Sequence, residues 1–214
     1  MNNVRLIVSN LRKAFNRRLV FDGVSFTLEK PASIVITGRN GSGKSTLIKI
    51  LAGVLSTSGG NFFYEVGESK LDSENIYKII GLVSPYLILY DEFTAFENLH
   101  LFSKIRGIKK SNEEIFDLLD QVGLYERRND LLRTFSSGMK QRMKYASALI
   151  HNPTVLLLDE PTSNLDDEGK KFVNKLIQDF KSNKILVVAT NEQSDFQFGD
   201  SIINLDAYKI NSKR

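Results

Sequence analysis

The run Gly38-Arg39-Asn40-Gly41-Ser42-Gly43-Lys44-Ser45-Thr46 constrains this chain more than any other feature. It fits the spacing G-x-x-x-x-G-K-[ST], and its surroundings fit as well. Before it stands the apolar run Ser33–Thr37, which reads as a strand. After it, apolar residues recur at helical spacing from Lys44 to about Leu55. The glycines let successive backbone amides turn inward around an anion, a conformation that residues with a Cβ resist. The helix beginning at Lys44 adds the positive end of its dipole. The run therefore predicts a cradle for nucleotide phosphates, with all of its residues from Gly38 to Thr46 as the wall. Lys44 would reach the β- and γ-phosphates, and Ser45 would hold Mg2+ through its hydroxyl. A glycine turn that merely caps a helix is the plainer reading, but it leaves the lysine without a purpose.

A strand–loop–helix unit of this kind belongs to a sheet. Further strand-like runs are Val4–Ser9, Val20–Leu28, Ile79–Val83, Val155–Leu158, Ile185–Ala189 and Ile202–Leu205. Val155–Leu158 and Ile185–Ala189 are continuously apolar, as strands buried on both faces of a parallel sheet are. Two runs before the first helix predict an antiparallel flank. From about Leu87 to Phe135 the signals are helical: one helix over Thr94–Ile105, and one after Ser111. Ser111 and Glu114 match a capping box, and Ile115, Leu118, Leu119 and Val122 follow as a core stripe. The expected fold is α/β: a P-loop NTPase sheet core with an antiparallel β flank and an inserted helical subdomain at roughly 87–135. The 214 residues would form one domain, 1–214.

Composition removes several alternatives. The absence of cysteine excludes disulfides, thiolate zinc and cysteine catalysis. His100 and His151, far apart in sequence, make a poor metal site. The net charge of +4 is modest, and the densest basic stretch, Arg12, Lys13, Arg17 and Arg18, lacks an aromatic platform, so no direct nucleic-acid partner is expected. No apolar run approaches the ~18 residues that span a bilayer. Any membrane role would need a partner.

A second chemical site follows from Val155-Leu156-Leu157-Leu158-Asp159-Glu160. Ligands in parallel sheets bind at the carboxyl ends of strands. Asp159 would share that edge with the glycine loop and bind Mg2+, and Glu160 would polarise an attacking water as general base. Alone, the pair reads equally well as solvated charges opening a loop. Beside a phosphate cradle, the chemical reading prevails.

In this order and spacing, the motifs resemble the ATP-binding (ATPase) subunits of ABC transporters, over nearly the whole chain from about Val4 to Leu205. The resemblance implies further roles. Phe15, in Leu11-Arg12-Lys13-Ala14-Phe15, matches the aromatic that stacks on adenine, although a core phenylalanine is the alternative. Phe135-Ser136-Ser137-Gly138-Met139-Lys140-Gln141-Arg142 resembles the signature motif that caps the ATP held by the opposite subunit, with Ser136, Ser137 and Gly138 nearest the nucleotide. Ser137 stands where a glycine is usual and Met139 where a glutamine is usual. Pro161-Thr162-Ser163-Asn164-Leu165-Asp166 resembles the loop that crosses the dimer interface, where Asp166 takes part.

Two departures stand out. Val187-Val188-Ala189-Thr190 leads to Asn191 where the family usually has histidine. An Asn amide can donate to a γ-phosphate but cannot carry a proton. Asn191 joins Glu160 and Lys44 as an expected catalytic contact, an ordinary loop Asn being the alternative. Near Ser84-Pro85-Tyr86, the glutamine that usually links Mg2+ to the helical subdomain is missing. The resemblance implies ATP and Mg2+ as ligands, a head-to-tail homodimer or heterodimer, and a multi-span membrane permease as partner. It also implies a cytoplasmic chain, peripheral on the inner face of the cell membrane. A soluble ATPase of translation or DNA repair, and a regulatory subunit with weak hydrolysis, are the competing readings.

Overall fold

The structure, a computed structural model, describes residues 3–163 and 165–209. Strands β1 (Val4–Phe15) and β2 (Arg18–Glu29) form a long hairpin, and β3 (Ala32–Thr37) leads through the glycine loop into helix α1 (Lys44–Leu51). Then come β4 (Gly59–Val66), β5 (Ser69–Lys70) and β6 (Ile80–Val83). Helices α2 (Ala95–Ile105), α3 (Asn112–Gln121) and α4 (Ser137–Leu149) precede β7 (Val155–Asp159). Helix α5 (Asp167–Lys181), β8 (Ile185–Ala189) and β9 (Ser201–Asn204) complete the order.

β6, β7, β8, β3 and β9 make a parallel sheet in that order, and β2, β1, β4 and β5 make an antiparallel one. Alternation along β7 and β8 explains how the layers stack. Val155 and Leu157 of β7, with Ile185 and Val187 of β8, face a core shared with β1, β2 and α1. Leu156 and Leu158, with Leu186 and Val188, face α4 and α5 on the other side. Both faces are covered, so these strands carry no polar face. Helix α1 lies between the two sheets, its Leu47, Ile48, Ile50 and Leu51 all buried, and the Tyr64 hydroxyl of β4 donates to the Leu51 carbonyl at 2.9 Å.

The structure revises several expected elements and adds others. β1 runs six residues beyond Ser9, because a bulge with Asn10 at φ 48° re-aims the strand and buries Leu11 and Lys13. β4 carries only one fully buried side chain, Tyr64, so its sequence shows no clean alternation. α1 ends at Leu51, earlier than Leu55, and Gly53 follows at φ 74°. α5 presents Val173, Ile177 and Phe180 on one buried face and is capped by Asp166, whose carboxylate accepts from the Gly169 amide at 2.8 Å.

Helices α2 and α3 begin at capping boxes. Ser111 Oγ accepts from the Glu114 amide while Glu114 accepts from the Ser111 amide, and Thr94 and Glu97 do the same for α2. Each box satisfies orphan amides of a first helical turn, worth about 0.5–2 kcal/mol. The helical core joins Leu99 of α2 with Ile115 and Leu119 of α3, and takes Met143, Ala146 and Ile150 from α4 and the turn after it. Tyr145 and Ala148 of the same helix face the sheet. The helical unit therefore continues past the 135 boundary expected from sequence, and α4 serves both cores.

His151, just after α4, fastens this junction. Its Nε2 lies 2.8 Å from the Ile80 carbonyl of β6, with Arg106 at the end of α2 beside it. Burial first, then the Arg106 guanidinium, push its pKa down to about 4, against the opposing pull of the Ile80 carbonyl. The unfolded chain takes up this proton near pH 6.5, whereas the folded chain resists until about pH 4. Stability from the neutral imidazole is complete above 6.5 and is lost progressively as pH falls toward 4. Urea denaturation at pH 7 and pH 5 tests this. The native chain is expected to lose about 1–2 kcal/mol more than His151→Gln over that interval, a figure reduced for the ring's partial exposure.

Candidate functional site

The parallel sheet sends β3, β6, β7 and β8 toward one edge, and each strand delivers polar residues there. The glycine loop leaves β3, Ser84 follows β6, Asp159 and Glu160 end β7, and Thr190 and Asn191 follow β8.

The loop conformation depends on Gly43. Its φ of 108° is left-handed, and an added Cβ would come within 2.5 Å of Val20 Cγ1 and 3.0 Å of Phe21. Strand β2 of the antiparallel sheet thus presses the loop against the start of α1. Ser42 is buried with a hydroxyl that has no partner. Arg39 donates its amide to Asp206 at 2.8 Å, and the Lys209 ammonium reaches the Gly41 carbonyl at 3.1 Å, so the chain's last described turn braces the loop.

Lys44 is 5% exposed. Its ammonium donates to the Gly38 carbonyl at 3.0 Å and to Asn191 Oδ1 at 2.6 Å, and lies 3.7 Å from Glu160 Oε1. Asn191 donates its other amide end to Asn40 Oδ1. The side chain at the expected histidine position therefore bridges the lysine and the glycine loop.

Asp159 is 1% exposed. Its Oδ1 accepts from Ser45 Oγ at 2.9 Å, and its Oδ2 is buried with no hydrogen-bond partner. The Ser84 hydroxyl approaches without meeting hydrogen-bond geometry. Burial raises the Asp159 pKa, partly offset by Ser45, Lys49 and Lys44. A buried carboxylate oxygen without a donor, beside a serine hydroxyl, fits a hard cation such as Mg2+, which takes few protein ligands and completes its shell with phosphate and water. That also accounts for there being no cluster of three or more metal-ligating side chains among the described residues.

Glu160 adopts φ 52°, a left-handed conformation that costs a non-glycine residue about 1–3 kcal/mol. Its amide donates to the Ala189 carbonyl at 2.8 Å, and its Oε2 accepts from the Asn191 amide at 3.4 Å. Burial raises its pKa, with Lys44 pulling it back down. The carboxylate opens into a cleft of about 420 Å³ between Pro85, Leu87 and the first half of α4, with Ser137, Lys140 and Lys144 on the far wall.

Gly38 to Ser45, Asp159, Glu160 and Asn191 come together at this edge; Thr46 is half-buried in the first turn of α1. Of the other expected residues, Ser137 faces this edge only across the cleft it lines with Glu160. Ser136 caps α4, its hydroxyl accepting from the Met139 amide at 3.2 Å, and Ser137 and Gly138 form the first turn. Phe15 ends β1 at the hairpin tip, 48% exposed rather than in the core, with the Lys13 ammonium 4.8 Å above its ring. Asp166 caps α5. Asn164 lies outside the described residues.

Two contributors escape the sequence reading. Lys144 of α4 donates to the Ser84 and Pro85 carbonyls at 3.2 and 3.0 Å, tying the helical side to the β6 exit where the usual glutamine is missing. Its only signal is its place four residues after Lys140 on one helix face. Asp195 is buried behind Thr162 and Thr190 and belongs to no motif.

Comparison with known proteins agrees with this geometry. The profile of the ABC transporter family matches residues 21–163. The linearmycin resistance ATP-binding protein of Bacillus subtilis is 32% identical over 87% of this chain, which spans 60% of that relative. The lipoprotein-releasing system ATP-binding protein of Treponema denticola is 35% identical over 96% of both chains. The dimeric structure of an ATP-binding cassette in a post-hydrolysis state, bound to ADP and Pi, superposes with a TM-score of 0.80 at 26% identity, covering 93% of each chain.

Gly43→Ala tests the loop. The added methyl meets Val20 in a conformation that alanine resists, so affinity for a fluorescent ATP analogue is expected to fall at least about tenfold while the far-ultraviolet circular dichroism stays unchanged. Unaltered affinity would separate the loop from nucleotide binding.

Proposed function

The chain belongs to the ABC transporter family as one of its ATP-binding, ATP-hydrolysing subunits, and on that premise we propose how its residues carry out the work. The observation that carries the reading is the meeting of Lys44, Ser45, Asp159 and Glu160 at one sheet edge.

The backbone amides of Gly38 to Thr46 cradle the phosphates. Lys44, already aimed between Gly38 and Glu160, neutralises charge on the β- and γ-phosphates, where most phosphoryl-transfer catalysis originates. Ser45 and Asp159 hold Mg2+, which supplies charge neutralisation and orients the phosphates when bound. Glu160 faces the cleft as a partly desolvated carboxylate and takes the proton of the attacking water. Asn191 moves its amide from Asn40 to the γ-phosphate.

Two copies, or this chain and a homologous one, enclose the nucleotide head to tail. Ser136, Ser137 and Gly138 stand at the α4 N-terminus, where amides and dipole favour a phosphate from the opposite subunit. Asp166 lies at the crossing between subunits, and Phe15, exposed at the hairpin tip, stacks on adenine. No helix among the described residues is long and apolar enough to cross a membrane. In this reading closure acts on a multi-span membrane permease as partner. We place the chain on the cytoplasmic face of that permease, with the helical unit of α2 and α3 as the transmitter.

Asn191 favours a second reading, a regulatory subunit with weak hydrolysis. Substitutions separate the two. Glu160→Gln is expected to lower the steady-state rate at least about 100-fold with Mg-ATP binding retained. Asn191→His is expected to stay within about threefold of the native rate, because the Asn amide already serves as the phosphate donor. A rise beyond about tenfold would instead mark the native chain as attenuated.

A further inference from the structure

We propose that Asp195 is a positioning residue that holds the Glu160 loop and the Asn191 loop in register across the β7–β8 edge. This rests on the roles given above to Glu160 and Asn191. Asp195 lies in the 3-10 turn Gln193–Phe198 and is 1% exposed. The Thr162 hydroxyl sits 2.8 and 2.9 Å from its two carboxylate oxygens and donates to them. The Thr190 hydroxyl donates to Asp195 Oδ2 at 2.8 Å. Both threonines are buried, Thr162 at 3% and Thr190 at 0% exposure.

Their places in the chain give the bridge its meaning. Thr162 is two residues after Glu160, and Thr190 immediately precedes Asn191. One carboxylate thus fastens both active loops from behind. Glu160 needs such a fastening, because a left-handed non-glycine residue persists only where its surroundings over-determine it. Its own amide bond to Ala189 fixes one point, and Asp195 supplies the second through Thr162. The Tyr145 hydroxyl adds a contact to the Pro161 carbonyl at 3.4 Å, so α4 touches the same loop.

The chemistry of the group supports positioning over mere filling. Among the described residues no salt bridge reaches Asp195; its carboxylate oxygens are met by the Thr162 and Thr190 hydroxyls, with the Lys170 charge acting only at longer range. A turn that needed only packing would be served by an apolar side chain without that desolvation. A carboxylate instead offers acceptor oxygens to donors from two loops, which neither an apolar group nor an amide can do equally.

The test uses steady-state ATP hydrolysis by the full chain, Mg-ATP binding and thermal midpoints for Asp195→Asn, Thr162→Val and Thr162→Ser, each also with Glu160→Gln. Asp195→Asn and Thr162→Val are expected to lower kcat about tenfold or more with KM within about twofold, since small misplacements of reacting groups weigh on the chemical step. Thr162→Ser, which keeps the hydroxyl, is expected to restore most of the rate. Once Glu160→Gln has removed the base, Asp195→Asn is expected to add little, the coupling of residues that act as a unit. A native kcat in Asp195→Asn and Thr162→Val would overturn the proposal, as would an equal loss in Thr162→Ser or a full loss added to Glu160→Gln. If Asp195→Asn does not fold, the Thr162→Val and Thr162→Ser pair decides alone. A native rate in Glu160→Gln itself would remove the base assignment, which is a separate failure.

Discussion

A lysine ammonium held away from water at the meeting of three segments organises this molecule. Lys44 touches the Gly38 carbonyl from the glycine loop and Asn191 from the end of β8, and lies beside Glu160 from the end of β7. Desolvating a cation costs several kcal/mol unless acceptors replace the lost water. The β3–α1 loop, β7 and β8 must therefore end at matching heights. Continuous apolar strands buried on both faces provide that rigidity, and the buried face of α1 anchors the lysine's own helix. The geometry of the proposed catalytic site is a consequence of how a parallel sheet is packed.

The same edge is joined to the helical unit by a short mechanical path. α4 lends Met143 and Ala146 to the helical core and Tyr145 and Ala148 to the sheet. Midway along it, Lys144 grips two carbonyls at the exit of β6, next to Ser84 and hence to Asp159. A rotation of α4 would move those carbonyls directly. Where the usual glutamine is missing, the contact between the helical side and the β6 exit is thus made by a lysine of α4 on two backbone carbonyls.

How much of this was legible in sequence followed from how local each signal is. The glycine loop is contiguous, and so is the apolar run ending in Asp159-Glu160, while the box at Ser111 closes within one helical turn; each declares itself within a few residues. β4 does not, because its partner is β1, far away in sequence, and only Tyr64 is fully buried. The extension of β1 depended on a bulge at Asn10, which no periodicity reveals. In the site, Lys144 and Asp195 stayed hidden for the same reason: their meaning lies in contacts to Ser84, Pro85, Thr162 and Thr190, brought near only by the fold. The adenine-stacking expectation for Phe15 has a core phenylalanine as its alternative, and the exposure that excludes the core is a property of the hairpin tip.

The amide at position 191 shows what the fold adds to a motif departure. Read along the chain, Asn191 is a loss, a group that cannot carry charge where an ionisable ring is usual. In space its two ends are both used: the oxygen accepts from Lys44 and the nitrogen donates to Asn40. A neutral imidazole also offers one donor and one acceptor, but on a rigid ring whose second nitrogen ionises near neutral pH. The amide keeps both functions at every pH and leaves the lysine as the cation facing Glu160. The departure therefore exchanges a titratable contact for a fixed dipole, and the electrostatics of the site rest on Lys44, Asp159 and Glu160.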